Sequence, residues 1–362
     1  MTATLAIGTS KGLFLASSDD DRRSWRLSSA HFPGTAVYAV AFDTSRPVPR
    51  LLAGIDSSHF GPTVTVSDDY GATWQEPDHA PLAFPGDTGA AVERVWQITP
   101  AGPVVWAGTQ PSALWRSTDG GLTYELVRGL WDHPHRPDWG AGFGGQAIHT
   151  ILPHPHDSRK VLVAMSTGGV YRTSDGGETW APANRGIKAY FLPDPWPEFG
   201  QCVHKVARDA ADPDSYYAQN HHGVYRTTDG GDSWQSIAAT LPADFGFTMV
   251  THPARGGTIW SFPLVSDGRR EPVDLRCQVF RSTDAGDTWQ AQHQGLPDDP
   301  YYPVVLRDAM CTDNATTAGV YFGSRAGDVY ASRDEGETWS TVAAHLPDVL
   351  CVRAVTSGGV GH

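Results

Sequence analysis

Two short segments of the chain place an amide and an imidazole three residues apart. Gly145-Gln146-Ala147-Ile148-His149 and Gly200-Gln201-Cys202-Val203-His204 share the pattern Gly-Gln-x-Ile/Val-His. A further pair of imidazoles follows in Gln219-Asn220-His221-His222. Two or three imidazoles, completed by a carboxylate or an amide, are a ligand set for a divalent metal ion. On this reading His149, His204 and His222 hold the metal, and Glu93 is the general base beside it. Arg94, Arg307 and Arg353 offer guanidinium forks to a carboxylate or phosphate, while Gln146 and Gln201 hydrogen-bond the substrate. The competing reading is structural. An inner-strand histidine can serve its neighbours in the core, a repeated Gln-x-x-His can reflect repetition alone, and Arg307 can pair with Asp308. No short-range ligand spacing such as His-Glu-x-x-His is present to decide between them.

What must position these groups is set by a second pattern. The motif Ser/Thr-x-Asp-x-Gly-x-Ser/Thr-Trp occurs as Ser18–Trp25, Ser67–Trp74, Ser117–Tyr124, Thr173–Trp180, Thr227–Trp234, Ser282–Trp289 and Ser332–Trp339. The intervals between its aspartates (Asp20, Asp69, Asp119, Asp175, Asp229, Asp284, Asp334) are 49, 50, 56, 54, 55 and 50 residues. A near-constant period of this length marks a repeat architecture. Each interval holds strand-like runs bounded by turn residues, such as Lys160–Met165 and Gly169–Thr173, and leaves no room for regular helices. Four antiparallel strands per interval make a propeller blade. The expected fold is therefore all-β: one seven-bladed β-propeller of four-stranded antiparallel blades, occupying 1–362 as a single domain. The run Val349–Ala354 follows the last motif and resembles the first strand of every other repeat. It is expected to join blade one and close the ring, so that no sheet edge is left open.

Within the motif, Ser/Thr and Asp bond the turn, Gly supplies a positive φ, and Trp fills the space between blades. Two copies depart, with Arg22 in the Gly position and Tyr124 in the Trp position. The motif joins strands three and four, so it lies on the face opposite the long segments Val127–Gly145, Pro182–Gly200 and Pro263–Arg276. Long, non-repeated loops on one face are where a repeat scaffold carries function. Aligning the innermost strands puts Tyr38, Trp96, His149, His204, Phe247, Arg307 and Arg353 at matching points around the axis. Trp131, Trp139, Tyr190, Phe191, Trp196, Tyr301 and Tyr302 in the loops are available to stack on a sugar ring or to pin the loops themselves.

These motifs resemble the Asp-box, or BNR, repeat, and the resemblance runs the length of the chain. It implies a relation to sialidase-like propellers, most closely to soluble bacterial BNR-repeat proteins. Other members of that group are xyloglucan-cleaving glycosidases, sorting receptors and a photosystem assembly factor. The Arg-Ile-Pro segment of true sialidases is missing, and those enzymes have six blades. Xyloglucanases of this pattern use two propellers.

Composition narrows the partners. A net charge of −13 opposes binding to nucleic acid or an anionic membrane. The N-terminal run Met1–Gly8 reads as a strand and not as a signal peptide, and the four cysteines show no paired spacing, so a cytoplasmic location with reduced thiols is expected. The function expected is a metal-assisted hydrolase or lyase acting on a small anionic or sugar-like substrate. Two alternatives stand beside it: a non-catalytic binding or assembly scaffold, and a metal-independent glycosidase using paired carboxylates, Glu93 with Asp194 or Glu198. The oligomeric state is not legible.

Overall fold

The computed structural model describes residues 1–75, 77–142 and 144–357. Among them the strands assemble into seven antiparallel sheets, six with four strands and one with three. The three-stranded sheet is the second blade (Ala39–Asp43, Arg50–Ser57, Gly61–Ser67), where a bridge between Val66 and Gln75 stands in the fourth position. The C-terminal strand Val349–Ser357 pairs with Thr2–Thr9 and completes the first blade, as the sequence leads one to expect. The ring is thus closed by its own two ends.

The turns that carry the repeated aspartates are built by side chains. In Ser67–Trp74, Ser67 Oγ donates to Asp69 Oδ1 (2.7 Å) and accepts from the Gly71 amide (2.8 Å). Asp69 in turn accepts from the Thr73 amide (2.8 Å) and hydroxyl (2.6 Å). Those bonds favour the carboxylate and hold Asp69 at about 2. The fifth residue of each motif needs a left-handed backbone, φ 84–102° in the six glycine copies. Arg22 adopts the same region at φ 64°, and the turn survives, because the Arg22 amide still donates to Ser18 Oγ (3.0 Å). Two of the tryptophans bond across to the preceding blade, Trp234 Nε1 to Ala183 O (2.8 Å) and Trp289 Nε1 to Ile237 O (2.9 Å), whereas Trp180 Nε1 donates within its own turn to Gly177 O (3.1 Å). Tyr124 is buried too, in one apolar cluster with Trp115 and Leu82, but its hydroxyl has no hydrogen-bond partner among the described residues.

Apolar clusters fill the wedges between blades. The largest runs without a break through blades six, seven and one, from Phe245 and Trp260 through Tyr321 and Phe322 to Leu5 and Ile7. Each such side chain contributes about 1.5–3 kcal/mol by leaving water. No helix among the described residues is long and apolar enough to cross a membrane. All four cysteines are free and buried.

Candidate functional site

The innermost strands share a local irregularity. In blades three to five the pairing of strand one with strand two slips by one residue, at Trp96, His149 and His204. Blade six slips across Phe247 and Thr248. A bulge leaves a residue unpaired and re-aims its side chain, so four of the positions aligned from sequence are equivalent in space. Blade one departs from that alignment. Its slip falls between Cys351 and Val349, so the bulged residue is Leu350, and Arg353 lies three residues further along the strand. In blade seven the bulge is replaced by a longer excursion, Leu306-Arg307-Asp308.

The bulged side chains of blades three and six, together with His204, surround a cavity of about 560 Å³ at the axis. Trp96, Phe247, His204, Leu350 and Arg307 line it from the inner strands, and Tyr38, Arg94 and Asp308 stand beside them. The turns between strands two and three add Ser10, Thr167, His221, Asp267 and Arg325, and the long segments add Gly142, Gly144, Phe191 and Arg270. The residues of the repeated aspartate turns contribute nothing to this lining.

Arg307 is the cation at the centre. Among the described residues its buried Nε has no partner, and Nη2 reaches Ser166 Oγ at 3.5 Å. Its guanidinium lies 5.7 Å from the Trp96 ring centre and 5.6 Å from that of Phe247. Burial pushes its affinity for the proton down. Asp308 does not pair with it: Asp308 accepts from Lys205 Nζ (2.7 Å) and from Arg353 Nη2. Burial raises Asp308, but the two cations outweigh that and hold it at about 2. Arg353 is therefore committed within the protein, also donating to Asp308 O (3.1 Å), and is not among the lining residues. Arg94 does face the cavity, stacked over Tyr38 at 4.3 Å.

The two repeated histidines share one task and differ in another. His149 Nε2 meets Val203 O (2.9 Å) and His204 Nδ1 meets Gly246 O (2.6 Å). Each carbonyl precedes the bulge of the next blade and can only accept, so each ring nitrogen donates and ties adjacent blades together. His149 closes its other nitrogen on Thr150 Oγ1 (3.1 Å) and is fully buried. His204 is turned the other way, and its Nε2 looks onto Cys202 Sγ (3.5 Å). Among the described residues, the ligand atoms of Cys202, His204 and His221 form the group that lies within 4.8 Å of one another. His149 and His222 fall outside it. His222 Nδ1 accepts the Tyr190 amide (3.3 Å) under the rings of Tyr190 and Phe191.

The remaining expected site residues serve the scaffold. Gln201 is buried and donates to Pro197 O (2.7 Å), and Gln146 donates to Trp139 O (3.0 Å), each anchoring a long loop. Glu93 is exposed and accepts from Gln110 Nε2 (2.7 Å), outside the cavity lining. Asp194 caps the Trp196 amide (2.9 Å) and Glu198 also lies outside the lining. The cavity carboxylates are instead Asp267, Asp308 and Asp348, and Asp348 pairs with Arg325 (2.8 Å). Trp131 and Trp139 are buried loop pins, whereas Tyr190, Phe191, Trp196 and Tyr302 are exposed.

No family model matches the chain. It is 27% identical over 237 residues to a xyloglucanase of Paenibacillus sp, covering 56% of this chain and 21% of that protein. It is 25% identical over 276 residues to a probable oligoxyloglucan-reducing end-specific xyloglucanase of Neosartorya fischeri, covering 66% of this chain and 30% of the relative. The chain thus spans less than a third of the length of either relative. Among solved structures, YCF48 from Cyanidioschyzon merolae superposes with a TM-score of 0.55 at 15% identity, over 86% of this chain and 87% of that one. An ancestral GH74 enzyme gives the same TM-score at 17% identity, over 85% of this chain and 38% of the other. These likenesses are of fold.

Proposed function

We propose that this chain acts on glycosidic bonds, and that its axial cavity takes a sugar carrying a carboxylate or another compact anion. The observation that carries the reading is Arg307. A half-buried guanidinium whose buried Nε has no partner and which has no carboxylate of its own among the described residues, set between two aromatic rings on the cavity wall, calls for an anion from outside. Arg94 gives a second cation on the same wall. The aromatic lining suits the apolar face of a sugar ring, and Phe191, with Tyr190 and Trp196 beside it in the sequence, continues that surface outward. The sequence relation to xyloglucanases supports glycoside cleavage as the chemistry. His221, whose Nε2 meets Asp267 (3.2 Å), is an imidazole–carboxylate pair at the cavity wall able to move a proton.

A specific observation favours a second reading, binding without cleavage. Asp308 is the buried carboxylate of the cavity and is kept ionised by Lys205 and Arg353, so it cannot donate a proton near neutral pH. One experiment separates the readings. Binding and release of reducing ends are measured with an oligogalacturonate and a neutral xyloglucan oligosaccharide, in the native chain and in Arg307→Met. The expected result is at least tenfold preference for the carboxylated sugar, lost in the variant. Equal handling of both sugars, or an unaffected Arg307→Met, overturns the anion assignment. Binding without bond cleavage establishes the second reading.

A further inference from the structure

We propose that Cys202, His204 and His221 form a three-ligand site for a thiophilic divalent metal, with zinc the best match, whose fourth position opens into the axial cavity. The inference goes beyond the sugar-anion reading and does not depend on it; with the metal bound, His221 is a ligand and does not serve as that reading's proton carrier.

The geometry supports the set. For a tetrahedral zinc ion, bond lengths of about 2.3 Å to sulfur and about 2.0–2.1 Å to nitrogen put a thiolate and an imidazole about 3.6 Å apart. Cys202 Sγ and His204 Nε2 are 3.5 Å apart. The ligand atoms of all three residues lie within 4.8 Å of one another, so closing the site asks for a side-chain adjustment on the order of 1 Å. The backbone already holds the two segments together, because the His221 amide donates to Cys202 O (2.9 Å).

The outer contacts also suit metal ligation. A ligating imidazole donates its other N–H to a carbonyl or carboxylate, which fixes the tautomer and leaves the coordinating lone pair bare. His204 does so through Nδ1 to Gly246 O (2.6 Å), and His221 meets Asp267 through Nε2 (3.2 Å). His149 shows the alternative. At the equivalent bulge its ring is reversed and its second nitrogen is closed on Thr150, and the residue matching Cys202 is Ala147. Two copies of one segment thus differ in the features that ligation requires.

The charges facing the site favour one thiolate and one external anion. Arg307 and Arg270 line the same cavity as Cys202, and Asp267 and Asp308 stand on its wall. On binding, the Cys202 thiol gives its proton to solvent and the sulfur–hydrogen bond is replaced by a sulfur–metal bond. Three protein ligands leave the fourth position to water or to an anionic group of a ligand, within the cavity that Arg307 lines.

The test uses the full chain, stripped with a chelator and titrated with Co²⁺ and then Zn²⁺. The expected result is one Co²⁺ per chain with thiolate-to-cobalt charge-transfer absorption, displaced by one Zn²⁺. Cys202→Ser removes that absorption, Asp267→Asn weakens binding roughly 10–100-fold, and His222→Ala changes neither. Absence of the charge-transfer band in the native chain overturns the proposal, as does an unchanged band in Cys202→Ser. If Cys202→Ser does not fold, His221→Ala at the half-buried turn must weaken Co²⁺ binding, and unchanged affinity there is equally fatal. Because binding of oligogalacturonate to the stripped protein is read separately, failure of the metal site leaves the Arg307 reading standing or falling by itself.

Discussion

Arg22 of the first blade and Asp313 of the seventh form a buried ion pair, Nη1 to Oδ2 at 2.9 Å, across the seam where the ring closes. Neither side chain is more than 4% exposed. Asp313 is fully engaged, accepting from Tyr321 Oη (2.7 Å) and from the amides of Ala315 and Gly319. Arg22 also donates to Thr317 O (3.1 Å). The residue that breaks the repeat motif by replacing glycine thus fastens the last blade to the first, at the cost of a left-handed arginine of roughly 1–2 kcal/mol.

Removing the arginine leaves Asp313 charged, buried and short of its cation. Arg22→Ala is expected to destabilise the protein by about 3–5 kcal/mol, measured by urea denaturation. Arg22→Gly relieves the backbone and loses the same pair, so it should recover only part of that loss. A change below 1 kcal/mol in both variants contradicts a role for this pair in closure.

The second component of closure is the strand Val349–Ser357. It pairs with eight consecutive residues of the N-terminal strand and brings Val349 and Val352 into the largest core cluster. Deleting everything after Leu346 exposes both the strand edge and that cluster. The truncated chain is expected to lose cooperative thermal unfolding, followed by near-ultraviolet circular dichroism. A truncated chain with the native melting temperature rules the closure argument out.

The parts of the molecule that were legible in the sequence are those governed by local chemistry repeated seven times. The aspartate turns fix where strands three and four meet, and the intervals fix how many blades there are. The equivalence of Trp96, His149, His204 and Phe247 was readable by aligning the innermost strands, with the shared Gly-Gln-x-Ile/Val-His segment fixing it for His149 and His204. It failed for Arg353, because the last strand bulges at Leu350 and a one-residue slip carries no composition signal. The site chemistry was less legible because ring orientation decides it. His149 and His204 sit in near-identical segments, and only the neighbours of each ring show that one is closed on Thr150 and the other faces Cys202. The exchange of Ala147 for Cys202 between the two copies was the available signal. Asp267 lies in a segment with no counterpart in other blades, so no alignment could bring it forward, and Asp308, named beside the aligned Arg307, turns instead to Lys205 and Arg353.

The buried histidines make stability depend on pH. Burial, reinforced by Arg307, pushes His149 and His204 well below the ordinary imidazole value of 6.5. The unfolded chain therefore binds protons below about pH 6.5 that the native chain does not, and stability falls as pH falls through that window. Two such groups predict a loss of about 2–3 kcal/mol between pH 7.5 and 5.5. Asp308 acts in a lower window, between 3.8 and about 2, where its pairing with Lys205 and Arg353 is lost on protonation. Urea midpoints at the two higher values check the histidine term. Stability that is flat or rising on acidification to pH 5.5 refutes it.

Arg307 separates stability from function. Its guanidinium is half-buried, with one long hydrogen bond and a buried Nε that has no partner among the described residues, so part of its desolvation is not recovered internally. Replacement by methionine keeps much of the volume between Trp96 and Phe247 and removes the charge. Arg307→Met is therefore expected to be as stable as the native protein or more so, by thermal denaturation, while losing affinity for carboxylated sugars. It should also lose the salt sensitivity of that binding, because the cation at the centre of the cavity is gone. A structural arginine behaves oppositely: its removal lowers the melting temperature by several degrees and leaves binding to the folded fraction intact. The two measurements on one variant therefore distinguish a cation kept for a ligand from one kept for the fold.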